Sequence, residues 1–222
     1  NNAIYNNTIY SNNGFGVGLT GCFNIKIHRN NISSNKGYGL YLCVSENNNI
    51  SENIVSLGED GGIYLSRSIN NSIIDNEINF NNEEGIYIGG NSNHNVIVGN
   101  NFGGNDKGLS IYNSNYSIII DNNFSNNRIG VDLGYFGYSY GNLFYHNNFI
   151  NNVRNAIDKR NTDIWYNSTS KEGNYWDDYN GTDSNRDGIG DIPYTIPGGD
   201  NIDKFPLMRP YEKMSSDAAD NN

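Results

Sequence analysis

The sequence predicts an all-β protein built as a single-stranded, right-handed parallel β-helix of about seven coils. Three observations lead there. Two short apolar patterns recur with one shared period. The composition works against helices. Near residue 161 the repeat gives way to a segment of different character that has to close the solenoid.

The first pattern is Asn-x-Φ-x-x-Asn-x-Φ, where Φ is apolar, as in Asn95-Val-Ile97-Val-Gly-Asn100-Asn-Phe102. Its last apolar residue falls at Ile9, Ile32, Ile54, Ile78, Phe102, Phe124 and Phe149. The second is Gly-Φ-x-Φ, with Gly39, Gly62, Gly85, Gly108 and Gly130 leading it and a first apolar residue at Val17, Leu40, Ile63, Ile86, Leu109 and Val131. These lie 23 residues apart except for a last interval of 22. A coil of 22–25 residues with short alternating strands is too short for a propeller blade and lacks the Leu pattern of a horseshoe. Strands stacked one coil apart place Φ in the lumen and the residue between outside. An inner column of Asn7, Asn30, Asn76, Asn100, Asn122 and Asn147 marks a corner where stacked amides bond each other and the turn. Glu52 breaks that column, so the coil of Ile54 should be irregular. The Gly before the second strand is expected to supply a φ > 0 bend.

Only 36% of the chain is hydrophobic, and Asn and Gly, both poor helix formers, are abundant. Seventeen Tyr, nine Phe and the periodicity argue against disorder. A formal charge of −10 disfavours nucleic acid and anionic lipid as partners. No apolar run is long enough to span a membrane. The chain starts inside a repeat without a secretion signal, so it reads as a piece of a longer exported precursor, extracellular or at the cell surface.

The repeat defines a β-helix over 1–161, followed by a capping segment over 162–211 and a polar linker or tail over 212–222. In coils four to seven the outward positions of the first strand turn apolar: Ile74, Val96, Val98, Ile118, Ile120, Leu143 and Tyr145. Such a stripe needs a cover. Tyr175, Trp176, Tyr194, Phe205 and Leu207 are expected to fold back over it, with a homo-oligomer through the same face as the competing cover.

Within the cap, Asp183-Ser-Asn185-Arg-Asp187-Gly188-Ile189-Gly-Asp191 has the spacing of a calcium loop. Alternate oxygens converge on a hard cation, Gly188 permits the turn, and Ile189 offers its carbonyl. Tyr194 stands where an EF-hand has its bidentate Glu, so the shell needs a further carboxylate from Asp177, Asp178, Asp200 or Asp203. An Asx-rich turn without metal uses the same residue types.

Two exposed columns bear on ligands. Tyr41, Tyr64 and Tyr87 occupy one outward position on three successive coils and form a ladder suited to sugar rings, although Tyr is also simply a good strand residue. Beside them Asp60, Glu83 and Asp106 stack on successive turns, at the separation of a retaining glycosidase pair, with Lys107 and Arg128 near enough for plain charge balance. The favoured function is a non-catalytic, calcium-stabilised module binding glycans or other surface components. The alternative is a polysaccharide hydrolase or lyase using those carboxylates. Cys22 and Cys43 are either bonded between coils or small buried fillers. His28, His94 and His146 fall in different columns, without Cys or Met at ligand spacing. Sequons at Asn6, Asn31, Asn49, Asn70, Asn115, Asn123, Asn167 and Asn180 are glycosylation candidates.

The coil patterns resemble NosD-like, carbohydrate-binding and sugar-hydrolase type β-helix repeats. Gly173-Asn-Tyr-Trp-Asp-Asp-Tyr179, Asp187-Gly-Ile-Gly-Asp-Ile-Pro-Tyr194 and Phe205-Pro-Leu-Met208 resemble that family's C-terminal signature. The resemblance implies an exported, pectin-lyase-like right-handed β-helix of a kind common in archaeal cell-surface proteins. The named member assists copper-site assembly, but the clustered Cys, Met and His that copper work needs are missing here.

Overall fold

The structure, a computed structural model, describes residues 2–134 and 137–212. Short parallel strands stack into three sheets that run the length of a right-handed solenoid. Sheet A contains seven strands, from Asn2–Tyr5 to Leu143–Tyr145. Sheet B has eight, from Thr8–Tyr10 to Tyr175–Trp176, and sheet C has seven, from Val17–Thr20 to Arg154–Asp158. Each of the first seven coils contributes one strand to every sheet, so equivalent residues lie directly above one another. Leu40 pairs with Ile63, Ile63 with Ile86, and Ile86 with Leu109.

The lumen is an apolar file with fully buried Ile27, Leu40, Ile63, Ile86 and Phe102 among its members. It turns aromatic toward the C-terminal end. Phe102, Phe124, Phe149, Trp176 and Tyr194 stack in sequence at ring separations of 4.6, 5.1, 4.2 and 4.3 Å. Each such contact adds about 0.5–1.5 kcal/mol beyond the area it buries.

Amide ladders hold the corners. Between sheets A and B, Asn30, Asn53, Asn76, Asn100, Asn122, Asn147 and Asn174 are buried in one column. In each, Oδ1 accepts from the backbone N–H and the side-chain amide of the Asn one coil earlier, as Asn76 does from Asn53 at 2.9 Å for both bonds. A second column (Asn35, Asn81, Asn105, Asn127) lines the corner between sheets B and C. At the corner between sheets C and A, Ser45, Ser68, Ser92 and Ser114 accept backbone N–H groups from the preceding coil. The residue before the A–B ladder Asn bends the chain with φ > 0 and is seldom Gly: Arg29, Glu52, Asp75, Asp121 and His146 have φ of 52–58°. The ladder's bonds fix the conformation that these residues would otherwise avoid.

Three sequence expectations change here. The column is not broken at Glu52: Asn53 occupies it, Val55 points into the lumen, and Ile54 is 47% exposed. Asn53-Ile54-Val55 can be read in two registers, and the apolar pattern alone favoured the wrong one. The irregularity expected in that coil is absent, because Ile32, Val55 and Ile78 pair in unbroken register.

The Gly residues leading the sheet C strands do not have positive φ. They are required for close approach. A Cβ on Gly62, Gly85 or Gly108 would lie 2.4–2.7 Å from the carbonyl oxygen of the equivalent Gly one coil on.

The third change concerns the cap. Trp165 stacks on Phe144 and Trp176 on Phe149, Asp163 and Asn174 extend two polar ladders, and the register thus continues past 161 into an eighth coil. Of the residues expected to cover the apolar stripe, Trp176 and Tyr194 instead close the axial end, Leu207 pairs with Tyr175 and Ile189, and Phe205 packs on Tyr166. Ile118 remains 38% exposed. Of the tail expected over 212–222, all but Glu212 lies outside the described residues.

Candidate functional site

The outer face of sheet C carries most of the chemistry. Tyr41, Tyr64 and Tyr87 are in register and stack at 5.2 and 4.8 Å with interplanar angles of 5°. The file is longer than the column predicts. Phe15 stacks on Tyr41 at 4.2 Å over the gap left by Gly18, and Tyr112 meets Tyr87 at 5.6 Å. Both newcomers sit off the column, next to a small residue within it, and that pairing is the signal a strict column reading passes over. The rings face one another along the solenoid axis. Their π faces are therefore spent on each other, and edges and hydroxyls remain for a ligand. A flat platform for sugar CH faces is not what the column builds.

Alongside the ladder, strand register places Asp60, Glu83 and Asp106 on successive coils, since Gly61, Glu84 and Lys107 pair directly. Their environments differ. Burial, Glu84 and Asp60 push Glu83 up from the ordinary carboxylate range. A two-pronged bond from Arg128 holds Asp106 down. Asp60 is exposed.

The sequence reading missed the cluster at the ladder's end. Lys107 Nζ lies 3.2 Å from Glu84 Oε1 and 3.3 Å from Asp132 Oδ2. Tyr112 donates its hydroxyl to Asp132 at 3.1 Å, and Ser110 is fully buried beneath. Burial acts to depress the Lys107 ammonium, but Tyr112, Glu84 and Asp132 outweigh it and raise its pKa. Burial followed by the Asp132 charge raises the Tyr112 phenol. Glu84 and Asp132 sit on an outward face yet are nearly inaccessible, because Lys107 and the rings fold over them.

The acidic loop of the cap is wound on its own oxygens. Asp183 accepts from the Asp187 and Gly188 N–H groups, Asn185 from Asp187 N–H, and Asp187 from Ile189 N–H, at 2.9–3.2 Å. Gly188 has φ +88°. Asp191 turns away, its Oδ2 receiving Thr182 Oγ1, Ser184 Oγ and Ser184 N–H, and these donors hold its carboxyl low. The four carboxylates considered as additional ligands lie elsewhere. Asp177 and Asp178 accept from Asn155, Asp200 sits on the turn against Asn161, and Asp203 is buried under Trp176. Among the described residues no three His, Cys, Asp or Glu side chains gather at metal-binding distance.

The other sequence candidates are dispersed. His28 faces Ser51 and Glu52, His94 stacks on Tyr116, and His146 lies between Asp121 and Glu172 under the Tyr211 ring. Cys22 and Cys43 are free thiols, half-buried. Among the sequons, Asn6, Asn31, Asn70 and Asn180 are exposed, whereas Asn49, Asn115, Asn123 and Asn167 are half-buried. No helix among the described residues is long and apolar enough to cross a membrane.

The sequence matches a family described as "Periplasmic copper-binding protein (NosD)" over residues 1–107 and 62–181. No curated protein matches it. Among solved structures, the A-module of a mannuronan C-5 epimerase from Azotobacter vinelandii is similar, with TM-score 0.61, 15% identity, and coverage of 73% of this chain and 50% of that one. A periplasmic alginate epimerase gives 0.55 at 21% identity, covering 63% and 38%. The Dettilon tailspike protein gives 0.54 at 20% identity, covering 78% and 39%. At these identities the likeness is one of fold, and this chain spans half or less of each neighbour's length.

Proposed function

The chain belongs to the NosD family, and from that premise we propose that it is a non-catalytic polysaccharide-binding module of a protein that works outside the cytoplasm. One observation carries the proposal: five rings, Phe15 to Tyr112, form an unbroken file on one outer face. The file runs parallel to the solenoid axis, flanked by carboxylates. Its repeat is close to the rise of one sugar residue in an extended chain, so the hydroxyls of Tyr41, Tyr64 and Tyr87 can bond successive sugars, while Tyr112 is held on Asp132. The neighbours named for mannuronan and alginate motivate this substrate class, and the family's description motivates the compartment. Affinity electrophoresis against a panel of polysaccharides tests it. Retention of the wild type should fall about tenfold in Tyr64→Ala or Tyr87→Ala, the scale of one or two hydrogen bonds. No retention on any polysaccharide rejects the reading.

The enzymatic alternative has one favouring observation, namely that neighbouring carboxylates are driven apart, Glu83 upward and Asp106 downward. Turnover by the wild type that disappears in Asp60→Asn and Glu83→Gln would establish it. Absence of turnover on acidic and neutral polysaccharides would end it.

Copper does not suit the described residues. The histidines and thiols lie apart, and His146 is held by two acids and an aromatic ring. Calcium is the metal we assign to the cap loop. The donors are oxygens only, and Asp183, Asn185 and Asp187 are already curled around the turn a hard cation needs, with the Ile189 carbonyl as fourth donor. Bound calcium would neutralise the loop and brace the cap, which pairs to it through Gly190 N–H to Pro206 O and Met208 N–H to Gly188 O. At a hundredfold excess over Kd the ion would add about 2.7 kcal/mol. A chelator should therefore lower the thermal midpoint, and Asp187→Ala should remove that response. A midpoint indifferent to chelation removes calcium from the account.

A further inference from the structure

The charges flanking the aromatic ladder bear on which polysaccharide it takes. We infer that this face selects uncharged polysaccharides and turns polyuronates away, an inference that rests on the glycan-binding reading above. Five carboxylates line the flank: Asp60, Glu83, Glu84, Asp106 and Asp132. The two cations among them are both engaged, and the exposed Arg154 follows in the Lys107 column two coils farther on. Lys107 is shared between Glu84 and Asp132, and Arg128 is locked onto Asp106 through two nitrogens. Across the ladder, beside the strand of Tyr41, the exposed Arg67 has only Cys43 Sγ at 3.8 Å and no carboxylate among the described residues, so the acidic flank and not this edge carries the discrimination.

A uronate carboxylate arriving on the acidic side of the central rings Tyr64 and Tyr87 therefore meets Lys107 and Arg128 already paired, with Arg67 on the opposite side of the ladder. To capture Lys107 it would have to displace two carboxylates that hold the ammonium in a half-buried site, leaving both without a counter-ion. Truncating one side of such an arrangement leaves a costly unpaired charge. The repulsion is already felt inside the protein, since Glu84 and Asp60 help to raise the Glu83 carboxyl. A hydroxyl-rich neutral chain meets the opposite situation. Asp60 and Glu83 are exposed acceptors, and a carboxylate accepts two vicinal hydroxyls more strongly than a neutral oxygen does. The phenol hydroxyls supply the remaining donors. The face shares its scaffold with epimerases named for mannuronan and alginate while presenting charge of the wrong sign for such polymers.

The test compares retention of the wild-type protein on a neutral β-glucan and a neutral mannan with retention on alginate and polygalacturonate. It is run at low and high salt with no divalent cation added. Neutral chains should retain the protein with little salt dependence, and the two polyuronates should not retain it at low salt. The double variant Asp60→Asn, Glu83→Gln should gain about tenfold in polyuronate affinity at low salt, the size expected for removing two like charges near the ligand. Its affinity for the neutral chain should fall about threefold, because a charged acceptor becomes a neutral one. Wild-type binding of a polyuronate as tight as its binding of neutral chains would overturn the selectivity and leave glycan binding standing. So would a double variant whose discrimination is unchanged. Retention on none of the four polymers would overturn both.

Discussion

Asn76 is the residue whose removal most directly tests how the solenoid is held. It is 1% exposed, and its side chain makes five hydrogen bonds. Its amide donates to Ile50 O at 2.9 Å, Ile74 O at 3.0 Å and Asn100 Oδ1 at 2.9 Å, and its Oδ1 accepts from Asn53 N–H and Asn53 Nδ2. Asn76→Ala leaves the Asn53 backbone N–H with no acceptor in a dry corner and deprives the Ile50 carbonyl of a donor. Each orphaned buried group costs about 1–3 kcal/mol, so two of them, with the small cavity, predict a loss of about 4 kcal/mol. Stability in a stacked repeat is partly local, so hydrogen exchange is the appropriate assay beside denaturant unfolding. The Asn53 amide and its neighbours in coils three and four should lose protection first. Asn82→Ala, at an exposed turn position of the same coil, serves as the control. A loss below about 1 kcal/mol, with protection unchanged at Asn53, would show that the ladder decorates the corner without holding it.

Three further outcomes follow from the same geometry. Val55 is fully buried and Ile54 is 47% exposed, so Val55→Asn should cost several kcal/mol by burying an unpaired amide, while Ile54→Asn stays within about 0.5 kcal/mol in the same denaturation assay. Burial raises Asp163 and Asp203 from 3.8 to about 6. The folded state then binds more protons than the unfolded one between pH 4 and 6, so stability present below that window is lost as pH rises through it, by up to about 3 kcal/mol per carboxylate. Thermal midpoints should be lower at pH 7 than at pH 5 by an amount that shrinks in Asp163→Asn, Asp203→Asn, and midpoints that rise over the window would contradict the shifts. The apolar stripe on sheet A is left uncovered around Ile118, so it is proposed to pair two copies of the chain. Sedimentation should then show a dimer that Ile118→Lys dissociates, and a wild-type monomer at all concentrations would refute the pairing.

The fold was legible because a solenoid writes its long-range contacts into a local period: residues 23 apart are neighbours, so one column of Leu40, Ile63 and Ile86 reveals the register of sheet C. The same logic failed where one coil offered two registers. At Asn53-Ile54-Val55 both Ile54 and Val55 are apolar, and only the amide column, which needs Asn53 in line with Asn30 and Asn76, resolves the choice. A ladder that demands an Asn at one position is thus a stronger guide to register than a lumen that accepts any apolar side chain.

The candidate site was legible only along its columns. Tyr41, Tyr64 and Tyr87 share a position, but Phe15 and Tyr112 enter the stack diagonally, over Gly18 and beside Ser110. Lys107, Glu84 and Asp132 belong to two columns, and their ion pairs span three coils. Column reading is blind to diagonal contacts because it compares like positions, and a binding surface on a repeat protein is made where like positions stop being alike. The repeating geometry of the coil supplies the rail, and the departures from it, in ring placement and in charge, decide what can lie along that rail.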